Sequence, residues 1–372
     1  MNVIHNVYYT HTVSNVHKQV TGDDLVGIAE IAAMARVSPA AVANWRARRR
    51  GFPEPVADLR AGPVFSQLAV RRWLRRQQKG KGRMSTVLST INLKGGVGKT
   101  TTTVGIAEML VAEYGMRVLV IDLDPQTNAT VSLIDEQIWK ALDEQGLTVA
   151  QLFVDTLSED PAARRFRLDD AIQTDVGSVH GLRGLDLLPS SLRLIDVQEK
   201  LAAMPLGQFY SMAPSQVLQT AIKRRLDDWD YILIDCPPNL GIITLNGLRI
   251  SDAYLIPTIP DVLSTYGIPQ IIRRVQAFAD EINEDIPALG IVITKYQANS
   301  TMHVNTTARL RDDHRDGKGP EVFDTIIPQG NAIAGAADFT ARGTLRQKYA
   351  YQGGYEAFHG LTAEIIKAVE DM

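Results

Sequence analysis

Short, unbroken apolar runs recur from residue 86 onward, and most of them stop at a glycine, a proline or a carboxylate. They are Val87-Leu88 with Ile91, Val118–Ile121, Leu185–Leu188, Tyr231–Ile234, Leu255–Ile259, Gly290–Thr294 and Thr325–Ile327. Continuous rather than alternating apolar character marks strands buried on both faces, as in a parallel sheet. Between them lie helical patterns: Val104, Ile106, Ala107, Leu110 and Val111; Leu147–Val154; a long stretch to Arg225 interrupted by Pro205 and Pro214; Asn239–Ile250; and Tyr355–Met372. Strands alternating with helices predict an α/β fold, a doubly wound and mostly parallel sheet, over residues 86–372.

The first 85 residues follow a different pattern. Residues 1–22 are polar and irregular and fit either an arm or a short dimerisation segment. Val26–Ala35 reads as a short helix with Ile28, Ile31 and Ala32 on one face. Arg36-Val37 makes a turn, Ser38 suits an N-cap and Pro39 the first helical position, so Pro39–Arg49 forms a second helix with Val42 and Trp45 inward. Gly51–Phe65 reads as a β-hairpin, and Ser66 caps a third helix, Gln67–Gln78. Lys79–Ser85 is charged and Gly-rich, a linker.

Charge sharpens this division. Residues 1–86 hold fourteen Lys/Arg against five acids, or +9, which leaves −12 on the remainder of a chain whose total is −3. A basic module on an acidic body points to a polyanionic partner. Asn44, Arg46, Arg48 and Arg49 on the second helix, with Ser38 at its start, are the candidate DNA contacts. A single cysteine, Cys236, excludes a disulfide framework or a Cys-rich cluster within one chain, and the seven histidines show no metal spacing. No apolar run reaches membrane-span length and no secretory signal opens the chain, so a cytoplasmic protein is expected.

The candidate chemistry sits at strand ends. Thr86–Thr103, TVLSTINLKGGVGKTTTT, is strand, glycine-rich turn and helix start, the context of a phosphate-binding loop. Lys99 would reach the β/γ-phosphates and Thr100 would ligate Mg²⁺. The usual G-x-x-x-x-G-K-[ST] spacing is broken: Leu93-Lys94 stand where a glycine would, so a second lysine enters the loop. The run Val118–Ile121 delivers Asp122 and Asp124 to the same edge, and Tyr231–Ile234 delivers Asp235.

KGGVGKTT resembles the deviant Walker A loop of the ParA/MinD family, and VLVIDLDPQTNAT resembles that family's second motif. Over roughly residues 86–360 the resemblance implies ATP bound by Lys94, Gly95, Gly96, Val97, Gly98, Lys99, Thr100 and Thr101, with Pro328 beside the base. It further implies Mg²⁺ held by Thr100 and Asp235 with support from Asp122, and an attacking water oriented by Asp124. Lys94 would cross an ATP-dependent homodimer to the other protomer's phosphates. Gln329 replaces the arginine usual after Pro328. Residues 23–78 resemble the winged helix-turn-helix of the MerR/excisionase kind, which longer members of the family carry. The implied function is nucleoid-associated DNA segregation stimulated by a ParB-like partner. The alternative is a nucleotide-gated, sequence-specific repressor of its own operon. Paired-cysteine relatives are set aside, and so is a MinD-like membrane helix, because Tyr355–Met372 carries Glu356, Glu364, Glu370 and Asp371. For non-specific DNA binding on the ATPase body, the expected bases are Arg273, Arg274, Arg309, Arg311, Lys318, Arg342, Arg346 and Lys348.

Overall fold

The computed structural model describes residues 25–35, 37–48, 52–59, 62–66, 70, 85–158, 160–203, 213–336, 338–340, 342–349 and 353–372. The chain divides into two compact units, 1–83 and 84–371.

In the smaller unit, helices Ile28–Ala35 and Pro39–Arg48 accompany three antiparallel strands, β1 (Leu25–Val26), β2 (Ala57–Leu59) and β3 (Gly62–Ser66), in the order β1-β3-β2. Val26 is thus a strand residue paired with Phe65 rather than the start of a helix. Ile31, Ala32, Val42, Phe52, Phe65 and Val70 share the core, with Trp45 against it. The arm 1–22, residues 79–84 and most of the expected helix Gln67–Gln78 lie outside the described residues.

The larger unit holds β4 (Thr86–Thr90), β5 (Val118–Asp122), β6 (Leu185–Leu188), β7 (Tyr231–Asp235), β8 (Ala253–Thr258) and β9 (Ala288–Ile293). These six strands form one sheet in the order β6-β5-β7-β4-β8-β9. Every pairing is parallel. β5, β7 and β8 are buried at every position, as unbroken apolar runs require. Register is what assembles the site: Thr90 pairs with Asp235, and Asp122 pairs with Asp235. One carboxylate therefore ends each of two adjacent strands, beside the strand that feeds the glycine loop. This is the carboxyl edge, where open α/β sheets bind ligands.

Helix Lys99–Tyr114 runs back from that loop and is buried through most of its length. The C-terminal helix, Tyr355–Asp371, packs on it with Phe358, Leu361 and Ile365 inward. The approach is close at Gly105, where a Cβ would stand 2.5 Å from the Phe358 ring.

The expected last strand, Thr325–Ile327, does not form. Only isolated bridges, Ile291 to Val322 and Tyr296 to Pro328, mark that stretch. One of its donors is diverted: Thr325 N, like the preceding Asp324 N, gives a hydrogen bond to Glu364 of the C-terminal helix, at 2.9 and 2.7 Å, while Ile327 N still donates to the Ile293 carbonyl of β9 at 2.9 Å. Ser85 also departs from its place in the expected linker. It is buried, and its hydroxyl donates to the Leu226 and Trp229 carbonyls, so it belongs to the larger unit.

Candidate nucleotide site

The glycine loop is shaped from three directions. Gly96 and Gly98 take φ of 73° and 85°, a region closed to most side chains. Asn92 accepts from Lys94 N at 2.9 Å and donates to the Pro257 carbonyl at 2.8 Å, which anchors the loop's first half to β8. Thr294, just past β9, donates to the Val97 carbonyl at 2.7 Å and anchors its tip. Two side-chain anchors and two left-handed glycines thereby fix the loop backbone, the arrangement in which successive N–H groups cradle an anion.

Lys99 begins the long helix and is 6% exposed. Burial pulls its ammonium below the ordinary lysine range, while Asp235 and Asp124 act in the opposite sense. Among the described residues its Nζ reaches only the Lys94 carbonyl, at 3.4 Å. Thr100 donates to Asp235 Oδ2 at 2.6 Å. Asp235 Oδ1 is buried and has no hydrogen-bond partner. Desolvation pushes this carboxyl up to about 7. A buried cation and a buried acceptor that the protein leaves unsatisfied indicate groups reserved for a ligand.

Asp122, the expected support of the metal region, is hydrogen-bonded through both oxygens. Its Oδ2 accepts from Thr130 N and Oγ1 at 2.9 and 2.7 Å, and its Oδ1 accepts from Asp124 N at 3.0 Å. Burial, then the neighbouring Asp235, raise its pKa well above the usual range. With both oxygens engaged, Asp122 braces the loop that carries Asp124. Ser190 completes the brace by donating to the Asp124 carbonyl at 2.7 Å. Asp124 Oδ1 accepts from Gln126 N at 2.9 Å, which leaves its second oxygen for a ligand or water.

Lys94 is held within its own chain here. Its Nζ donates to Asp261 Oδ2 at 3.0 Å and to Ser264 Oγ at 2.9 Å, and it is 37% exposed. Asp261 also caps the helix Val262–Tyr266. Beside the loop a cavity of about 230 Å³ is lined by Gly98, Thr101, Lys295, Pro328, Gln329 and Asn331, among others. Thr101 and Pro328 thus line one pocket. Sequence reasoning gave no role to the side chains of Thr130, the last residue of VLVIDLDPQTNAT, or of Ser190, Asp261 and Thr294, because each acts through a hydrogen bond that only the tertiary structure brings together.

The described residues contain no group of three or more His, Cys, Asp or Glu side chains that could hold a metal. An orphaned carboxylate oxygen beside a threonine hydroxyl nevertheless fits Mg²⁺, which keeps waters and relies on one or two carboxylates plus phosphates.

A family model described as an AAA domain matches residues 85–288. Sporulation initiation inhibitor protein Soj of Bacillus subtilis (strain 168) is 30% identical over 257 residues, which cover 68% of this chain and 88% of that protein. The chain belongs to this AAA-domain family, with the Soj/ParA-type ATPases. Chromosome partitioning protein ParA of Caulobacter vibrioides is 29% identical over 291 residues, 77% of this chain and 95% of its own. Among solved structures, cobyrinic acid a,c-diamide synthase from Mycobacterium smegmatis with bound ADP and magnesium superposes with a TM-score of 0.55. It is 26% identical and covers 77% of this chain and 96% of that one.

In the smaller unit, Ser38 caps the helix Pro39–Arg48 through Ala41 N at 3.3 Å, with Val42 buried and Asn44 and Arg46 exposed. Arg49 and the Arg48 side chain lie outside the described residues. Of the bases expected to bind DNA on the larger unit, five are engaged. Arg309 donates to Thr265 and Arg311 to the Phe323 and Asp324 carbonyls. Lys318 pairs with Asp316, Arg346 with Glu356, and Lys348 is buried against Glu108. No helix of the described residues is long and apolar enough to cross a membrane.

Proposed function

We propose that this chain is a DNA-partition ATPase that binds ATP with Mg²⁺, closes a homodimer on ATP, binds DNA, and hydrolyses slowly until a ParB-like partner stimulates it. The observation that carries this reading is the pair of lysines in one glycine loop, Lys99 buried within reach of the charges of Asp235 and Asp124, and Lys94 partly exposed and held by Asp261. Mg²⁺ supplies charge neutralisation at the β/γ-phosphates, held through Thr100 and Asp235. Lys99 and the loop N–H groups hold the phosphates. Asp124, with its backbone fixed by Asp122 and Ser190, orients the attacking water through its free oxygen. Lys94 leaves Asp261 to reach the second protomer. The Soj and ParA relatives, one of them named for chromosome partitioning, support the segregation role.

The test is Lys94→Ala. This variant should keep ATP binding, through Lys99 and the loop backbone, and lose ATP-dependent dimerisation in sedimentation. An unimpaired ATP dimer would confine Lys94 to its own site and remove the main support for the partition reading. A second reading, the sequence-specific repressor, is favoured by Asn44 and Arg46 standing exposed on a helix whose Val42 is buried, the arrangement of a recognition helix. It adds operator binding by the smaller unit and leaves the nucleotide site as described.

A further inference from the structure

One basic feature of the larger unit is not absorbed by the nucleotide site. After the helix Val149–Leu157, the chain makes a 3₁₀ turn at Pro161–Ala163 and then presents Arg164, Arg165 and Arg167, all exposed. No ion pair involves these three among the described residues. The turn is nonetheless firmly built. Asp155, 7% exposed, accepts from Gln151 Nε2 at 2.6 Å and from the backbone N of Arg165 and Phe166 at 2.7 and 2.6 Å. Asp160 accepts from Ala162 N at 2.9 Å, and Phe166 packs inward against the main core. A buried carboxylate thus fixes the backbone while three guanidinium groups stand exposed. Of the nearby acids, Asp169 is paired with Arg225, which also holds Asp228; Asp170 stays exposed. Lys223 and Arg224, beside Arg225, are exposed as well.

We propose that the loop 161–167 is a docking site on the ATPase unit for the phosphate backbone of duplex DNA, independent of base sequence. Arginine forks suit phosphate, and a preformed loop loses little entropy on binding. The chemistry selects duplex over other polyanions. Single strands are gripped by exposed aromatic rings on which bases stack, and the loop's only aromatic, Phe166, faces the core. Membrane surfaces require large apolar side chains to insert, and beside the arginines the described side chains that the turn exposes are Ala162 and Ala163. Binding confined to phosphates positions a protein without reading bases. The site rests on the partition reading above, and it places non-specific binding away from most of the bases near the C-terminus, which are engaged within the protein.

The experiment uses the full chain with ATP and Mg²⁺, a labelled duplex of arbitrary sequence and a salt titration. The triple variant Arg164→Ala/Arg165→Ala/Arg167→Ala should bind about tenfold or more weakly at near-physiological salt. Its plot of log K against log salt should be shallower by roughly 2–3, since each phosphate that a side chain neutralises adds about 0.9 to the slope. Basal ATP hydrolysis should not change, and the corresponding triple Lys variant should restore most of the slope. If the unmodified protein binds duplex and the triple Ala variant binds with the same slope, the loop is not the site, while the partition reading stands. If the unmodified protein binds no duplex at any salt, both fall. Loss of binding to phosphatidylglycerol vesicles with duplex binding intact would reassign the loop to a membrane surface and overturn the proposal.

Discussion

Two buried charge clusters sit on the same helix, Lys99–Tyr114, and they are built to opposite ends. At its first turn, Lys99 has neither carboxylate as a hydrogen-bonded partner, and Asp235 Oδ1 has no hydrogen-bond partner among the described residues. Further along the helix, Glu108 is fully engaged. Lys348 Nζ lies 2.7 Å from Oε1, Tyr349 donates to Oε2 at 2.6 Å, and the ion pair is essentially free of solvent. Burial and Glu108 push the Tyr349 phenol up, so it remains a neutral donor. Burial alone does not distinguish a working site from a structural one. Satisfaction does: the groups of the closed cluster satisfy one another, whereas the open one keeps a buried acceptor that the described residues leave unpaired.

The comparison can be broken in several ways. The largest effect is expected at the closed cluster. Lys348→Met strands the Glu108 charge and should cost about 3–5 kcal/mol in urea unfolding, while Glu108→Leu with Lys348→Met should recover most of it. An unchanged midpoint in the single variant would mean that the pair does not clamp the C-terminal segment to the helix.

The second test removes a group at the open edge. Asp124→Ala should bind ATP, unfold like the parent protein and hydrolyse about 10²-fold more slowly or worse, within the range for positioned proton-handling groups. Hydrolysis at the parental rate would take the water-orienting role from Asp124.

The smallest effect concerns pH and the ligand-free protein. The Asp235 carboxyl lies at about 7 when folded, against 3.8 for the free group. Between these values the folded state binds more protons than the unfolded one, so stability falls as pH rises from about 4 to about 7. Asp122, also raised, acts in the same direction. Asp235→Asn should flatten part of this fall and stabilise the ligand-free protein at pH 8. An identical pH slope in the variant would show that Asp235 is not held at a cost.

Much of this architecture was legible in the chain itself. Unbroken apolar runs, separated by helical periodicity, determined the strands, because a strand buried on both faces cannot alternate. The loop Leu93–Lys99 and the acids at 122, 124 and 235 were readable because phosphate chemistry needs those groups at strand ends. Tertiary structure decided the rest. Register set Asp122 and Asp235 on either side of one ladder, and the Thr130 bonds then made a brace of the first while leaving the second open. Glu364, 39 residues away in the chain, takes the Thr325 N donor from what reads as a seventh strand. Asp261 and Ser264 hold Lys94 across more than 160 residues of sequence. Sequence patterns report which groups must be buried or placed at an edge. Which partner satisfies each group depends on long-range packing that forms only when distant segments come together, and no local pattern encodes it.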